Sequence, residues 1–171
     1  MSLEFNNFDD LDGELKSKVA EWVSEYTQGK MDETPQMLPI AEEDVYKKHL
    51  GVAAFIDEEF SGYIAAIDPE SHNGNLMSEV GSLCVPKEFR NMGIGGKLIH
   101  VITGHLVSAQ IHPYAFTNPL STPLFMVEDY LKAESALIPP SALRACLSCP
   151  MKPECDGCCD NILIYGGGHA K

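Results

Sequence analysis

The chain has 171 residues, 12 Lys and Arg against 25 Asp and Glu, a net charge of −13, and 44% apolar residues. This length and apolar content fit a single globular domain over residues 1–171 with a sizeable core, and exclude a disordered chain. The acidic balance repels nucleic acid and anionic membranes, and no apolar run nears the roughly 18 to 20 residues that span a bilayer. Acidity suits solubility first and a cationic substrate such as an amine second. The stretch after Met1 lacks the basic region and apolar core of a signal peptide, so the expected setting is the cytoplasm.

Leu3 to Phe8 reads as an edge strand. Asp9 and Asp10 then offer cap oxygens to a helix whose apolar positions, Leu11, Leu15, Val19, Trp22, Val23 and Tyr26, share one face. Gly29 closes it. Pro35 and Pro39 interrupt the next stretch, and Ala41 to Leu50 reads as a short second helix. Val52 to Asp57 and Phe60 to Ile67 are strand candidates joined as a hairpin, and Pro69 to Asn75 supplies turn chemistry. Leu76 to Val85 is the next strand. Lys97 to Ile111 follows as a helix with Leu98, Ile102, Leu106 and Ala109 on one face, closed by Pro113. A short strand at Tyr114 to Thr117, a helical stretch from Thr122 to Ala133 and a last strand at Asn161 to Tyr165 complete the order. The pattern is mixed α/β.

Between the strand and helix that flank them, residues 90 to 96 read Arg-Asn-Met-Gly-Ile-Gly-Gly. A glycine-rich turn opening a helix presents free N–H groups and the positive end of the dipole, which together hold a phosphate. The spacing is Arg-x-x-Gly-x-Gly, which is neither the dinucleotide pattern nor a P-loop. In its context, from Glu79 through Val85, Pro86 and Arg90 to Ile99, the stretch resembles the acetyl-CoA-binding segment of the GNAT family of N-acetyltransferases. The resemblance runs from about residue 50 to 120. Pro86 stands one position earlier than the family's proline.

That resemblance implies a GNAT-like mixed β-sheet flanked by helices and direct transfer of an acetyl group to an amine. Two central strands would diverge around the pantetheine arm, with Leu83, Cys84 and Val85 at the end of one and the Val85 N–H on the acetyl carbonyl. The backbone of Arg90, Asn91, Met92, Gly93, Ile94, Gly95 and Gly96 would take the pyrophosphate, and Asn118 would lie beside the pantetheine. Glu79 is the expected base. Tyr130 is the expected acid, because Tyr130-Leu-Lys-Ala matches the first half of the family's Tyr-x-Lys-x-Gly-Phe segment, although Glu134-Ser135 replaces its second half. A nucleophilic Cys84 with His100 or His105 is disfavoured, since the family transfers without a covalent enzyme intermediate. The acceptor would be a small-molecule or peptide amine, and a homodimer is left open.

A second signal lies towards the C-terminus. Five of the six cysteines fall between residues 146 and 159, as Cys146-x2-Cys149-x5-Cys155-x2-Cys158 with Cys159 adjacent. In a reducing compartment such pairs point to metal rather than disulfides. Cys146, Cys149, Cys155 and either Cys158 or Cys159 would make a four-thiolate structural Zn²⁺ site in a cysteine-rich loop inserted at 146–159. An iron–sulfur cluster uses the same ligands. The competing functional reading is therefore a non-catalytic acyl-CoA-binding module whose cysteine loop responds to metal or redox state.

Overall fold

The computed structural model describes residues 2–31, 37–147 and 161–167. Its elements in chain order are β1 (Leu3–Asn7), α1 (Gly13–Thr27), α2 (Glu42–Tyr46), β2 (Leu50–Ile56), β3 (Glu59–Ala66), β4 (Glu70–His72) and β5 (Asn75–Cys84). Then come α3 (Ile94–Ser108), β6 (Ile111–Thr117), α4 (Thr122–Val127), β7 (Tyr130–Lys132), α5 (Pro140–Leu147) and β8 (Asn161–Tyr165). The strands form one eight-stranded sheet in the order β1-β2-β3-β5-β6-β8-β7, with β4 paired to β5. Every pairing is antiparallel except β5 with β6, whose parallel run requires the crossover that α3 provides.

Local chemistry fixes the joints. α1 is capped by Asp12, whose Oδ1 accepts from the Leu15 N–H at 2.9 Å, while Asp9 and Asp10 lie in the 3-10 turn before it. At its other end Gly29 adopts φ 69°, and Lys30 N–H bonds Glu25 C=O at 3.0 Å, the cross-bonded ending that a left-handed glycine permits. The β2–β3 turn places Asp57 and Glu58 at φ 47° and 71°, and the β4–β5 turn places Asn73 and Gly74 at 49° and 79°. Both are two-residue turns of the left-handed kind that match strand twist.

The sheet is covered on both faces. One face buries Val52, Ile64, Val80 and Ala115 under Leu98, Ile102 and Leu106 of α3. The other packs α1 and α2 over β2 and β3 through Val19, Val23, Val45 and Tyr63, and a separate cluster sets α5 against Met77 and Tyr114. Among the described residues no helix is long and apolar enough to cross a membrane.

Several boundaries differ from the sequence reading. The second helix is only Glu42–Tyr46, because Leu50 already pairs with Ala66. The turn chemistry at Pro69 to Asn75 includes a strand, β4. α3 begins at Ile94, so Gly95 and Gly96 lie inside its first turn despite their poor helix propensity. Pro113 sits within β6, opposite Ser78 of β5 and one residue before the β6–β8 ladder starts at Tyr114. The stretch read as helical to Ala133 stops at Val127, since Asp129 takes φ 62° and Tyr130 to Lys132 join β8. Of the cysteine-rich loop, Cys146 lies in α5, while Cys149, Cys155, Cys158 and Cys159 lie outside the described residues.

Candidate cofactor groove and active site

The parallel pairing of β5 with β6 runs from Leu76–Ile111 to Glu79–Tyr114 and stops there. β5 continues to Cys84 along β3, and β6 continues to Thr117 along β8, so the two strands diverge. β5 is also bulged: its register on β3 shifts by one residue between Gly81 and Cys84, and Ser82 takes φ 56°. A non-glycine residue in that conformation is uncommon, and bulges of this kind re-aim a strand end. The result is an opening between the two strand ends at the carboxyl end of β5, where the glycine turn begins.

Gly93 adopts φ 77° as the residue before α3, and a Cβ there would meet nothing within 4 Å, so conformation alone requires glycine. The first bond of the helix is Lys97 N–H to Gly93 C=O at 3.2 Å, which leaves the N–H groups of Ile94, Gly95 and Gly96 ahead of the ladder. A Cβ on Gly95 would lie 3.4 Å from a Leu124 methyl and 3.8 Å from a Leu83 methyl. The turn is thus walled by apolar groups from α4 and β5. Close to it, the Glu128 carboxylate bonds His100 Nδ1 at 3.0 Å.

The other expected site residues fall into distinct settings. Glu79 is partly buried on β5 opposite Tyr114, and burial raises its carboxyl above the usual range while Lys48 opposes the shift. Val85 directly follows β5, and its carbonyl accepts from Arg90 Nε at 3.0 Å. Asn118 uses its side-chain oxygen on the N–H groups of Leu120 and Ser121, at 3.0 and 2.9 Å, which shapes the turn into α4. Asn91 and Met92 are exposed between Arg90 and Gly93.

Cys84 and Tyr130 are placed differently from the readings that gave them chemistry. Cys84 is buried on the α1 side of the sheet, 3.6 Å from Met37 Sδ, and burial pushes its thiol up to about 12. His100 is exposed on α3, which covers the opposite face, so the structure does not bring the two together. Tyr130, expected at the groove as an acid, is 0% exposed with its hydroxyl on Thr103 of α3 at 2.8 Å. It packs edge-on to Phe125 and Tyr165, and burial raises its pKa, so it holds its proton inside the core. The helix-to-strand switch after Asp129 is the reason.

Sequence reasoning missed Leu124, Lys48 and Ser82. Only Ser82 had a local signal, its place between a glycine and a leucine in a strand; the others depend on tertiary approach. Among the described residues no group of three or more His, Cys, Asp or Glu side chains is placed to hold a metal ion.

Comparison with known proteins agrees with this geometry. The family model described as FR47-like protein, a GNAT-related family, matches residues 71–125, which span β5, the glycine turn, α3 and β6. Over this segment the chain is similar to the GNAT family. An uncharacterized N-acetyltransferase from Chlorobaculum tepidum is 31% identical over 80 residues, 47% of this chain and 51% of the relative. The chain thus spans about half the length of that relative. N-acetylglutamate synthase from Neisseria gonorrhoeae, complexed with coenzyme A and L-arginine, superimposes with a TM-score of 0.64 at 11% identity, over 95% of this chain and 32% of that one. A GNAT-family acetyltransferase from Staphylococcus aureus Mu50 gives 0.58 at 17% identity, over 82% and 91%. These two likenesses establish the GNAT fold.

The position of Tyr130 yields a test. Tyr130→Phe leaves the buried Thr103 hydroxyl without its partner and should cost about 1–3 kcal/mol in urea unfolding, whereas adding Thr103→Val should recover much of that loss. An unchanged unfolding midpoint for Tyr130→Phe would show that the bond does not brace α3 against β7.

Proposed function

We propose that this chain is an acetyl-CoA-dependent N-acetyltransferase that passes the acetyl group directly to a primary amine of a small molecule or peptide. The observation that carries this reading is one coincidence of place. The strands β5 and β6 part company at the same end of the sheet where α3 opens on uncapped glycine N–H groups. A cofactor with an apolar-walled arm and a pyrophosphate matches both features. In this reading Gly93, Ile94, Gly95 and Gly96, with the backbone of Arg90 to Met92, hold the pyrophosphate. Leu83 and Leu124 flank the entry, Asn118 shapes the far wall, and Cys84 contributes backbone alone.

The chemistry follows from charge. An amine with an ordinary pKa near 10 is protonated at neutral pH and must lose a proton before it attacks. Glu79, whose carboxyl is raised by burial, is a stronger base than an exposed glutamate and accepts that proton through water. The amine nitrogen then bonds the acetyl carbon, charge gathers on the carbonyl oxygen, and the Val85 N–H stabilises it. The carbon–sulfur bond breaks and the CoA thiolate leaves. A thiol with an ordinary pKa of about 8.5 takes its proton from solvent near neutrality, so the sequestered hydroxyl of Tyr130 is not needed. The net charge of −13 favours cationic acceptors by long-range attraction. The proposed compartment is the cytoplasm.

The cysteine-rich stretch keeps the reading its spacing supports, a thiolate site for one Zn²⁺ formed by Cys146, Cys149, Cys155 and Cys158 or Cys159. Clustered thiolates repel one another, and a divalent ion neutralises them and closes the loop. Elemental analysis of protein purified under reducing conditions without chelator should find about one zinc per chain. Finding neither zinc nor iron would remove the metal.

Gly95→Asp puts bulk between Leu83 and Leu124 and a negative charge beside the pyrophosphate. Calorimetry should show acetyl-CoA affinity falling at least tenfold, about 1.4 kcal/mol or more. Retained affinity would place the cofactor elsewhere.

Glu79→Gln should affect activity and stability in opposite directions. A carboxyl whose folded pKa is raised is destabilising once ionised, so the penalty appears as pH rises above its unfolded pKa and is complete above the folded one. The glutamine variant should therefore be more stable than wild type at neutral pH and show no such gain in acid. Its turnover should fall, and the acid limb of the rate profile should disappear. An unchanged rate profile would remove Glu79 from the mechanism.

A further inference from the structure

An arginine at the mouth of a phosphate-binding turn is expected to present its charge to the phosphate. Arg90 does something else. Its Nε donates to the Val85 carbonyl at 3.0 Å, and Nη2 donates to the Tyr26 hydroxyl at 3.4 Å, a longer and weaker contact. The guanidinium therefore lies back across the end of β5 and joins three elements: the strand that carries Val85, the glycine turn, and the last turn of α1.

Each end of this fork has a reason to matter. The Val85 carbonyl belongs to the peptide that precedes Pro86, which has no N–H, at the point where β5 leaves the sheet. A carbonyl leaving a sheet needs a partner to hold its orientation, and no ladder supplies one. Fixing that carbonyl also limits the rotation of Val85, whose N–H is the proposed donor to the acetyl oxygen. At the other end, Tyr26 stacks on Trp22 with ring centroids 5.2 Å apart and planes 8° from parallel, and Trp22 in turn packs on Phe60 of β3 at 5.1 Å. The next residue, Thr27, accepts the Ile40 N–H at 3.0 Å and so ties the end of α1 to the stretch leading into α2.

We infer that Arg90 is a positioning residue, whose two-pronged side chain orients Val85 and couples the filling of the cofactor groove to α1 instead of binding the phosphates. This rests on the acetyl-CoA reading given above. Lysine keeps the charge at this position but lacks the planar fork. The two roles therefore predict different outcomes for the conservative variant.

The experiment titrates acetyl-CoA into wild type, Arg90→Lys, Arg90→Ala and Tyr26→Phe, with calorimetry and fluorescence in parallel and unfolding curves as the folding control. Trp22 is the only tryptophan in the chain, so its emission reports on the α1 end of the coupling alone. Arg90→Lys and Arg90→Ala should lose affinity equally, by about five- to tenfold, the size expected for a typical net hydrogen bond. Tyr26→Phe should bind acetyl-CoA within about twofold of wild type, because its contact with Arg90 is the longer and weaker prong, yet lose the cofactor-induced change in Trp22 emission. Wild-type affinity in Arg90→Lys with loss only in Arg90→Ala would assign the side chain to the phosphates and overturn the inference. So would a full emission response in Tyr26→Phe. An absence of binding heat in wild type itself would instead sink the acetyl-CoA reading, and is distinguishable because it does not depend on any Arg90 or Tyr26 variant.

Discussion

The parting of β5 and β6 is the constraint on which the rest of this structure depends. Two neighbouring parallel strands normally satisfy each other's backbone groups, and separating them leaves N–H and C=O groups facing an opening. The fold compensates on each outer side, where β3 holds the end of β5 and β8 holds the end of β6. The bulge at Ser82 lets β5 turn without losing its pairing to β3, at the expense of one strained residue. Only the inner edges remain available to a ligand. α3 must cross over the parallel pair, so its N-terminus is delivered to the same end.

Apolar packing and polar chemistry are kept on separate surfaces of the site. Helix α3 is buried along Leu98, Ile102 and Leu106, which anchors it firmly and keeps its first turn in place. The thiol of Cys84 and the hydroxyl of Tyr130, two groups with intrinsic reactivity, are both withdrawn into the core and held in their protonated forms. Glu79 stays partly buried on β5, and the same burial that raises its basicity works against stability.

The glycine turn was legible in the sequence because its geometry is local. A glycine at Gly93 reports a left-handed backbone, and glycines at Gly95 and Gly96 report an open helix start; no long-range partner is needed to read either. The two strands of the β2–β3 hairpin and the apolar face of α1 were equally readable, from alternation and from the helical period. Errors arose where a distant partner set the outcome. Leu50 became strand because Ala66 was waiting for it, and Tyr130 became strand because β8, some thirty residues later, supplies its ladder.

The sequence by itself determined the glycine turn, the mixed α/β order and the resemblance to the GNAT family, since these rest on residue types at fixed spacing. The tertiary structure alone decided where the reactive side chains lie. Glu79 and Tyr130 are both plausible catalysts by residue type, but orientation depends on register and on the face a strand presents. A change of element, from helix to strand at Tyr130, moved one of them into the core, and the divergence of β5 from β6 left the other beside the opening.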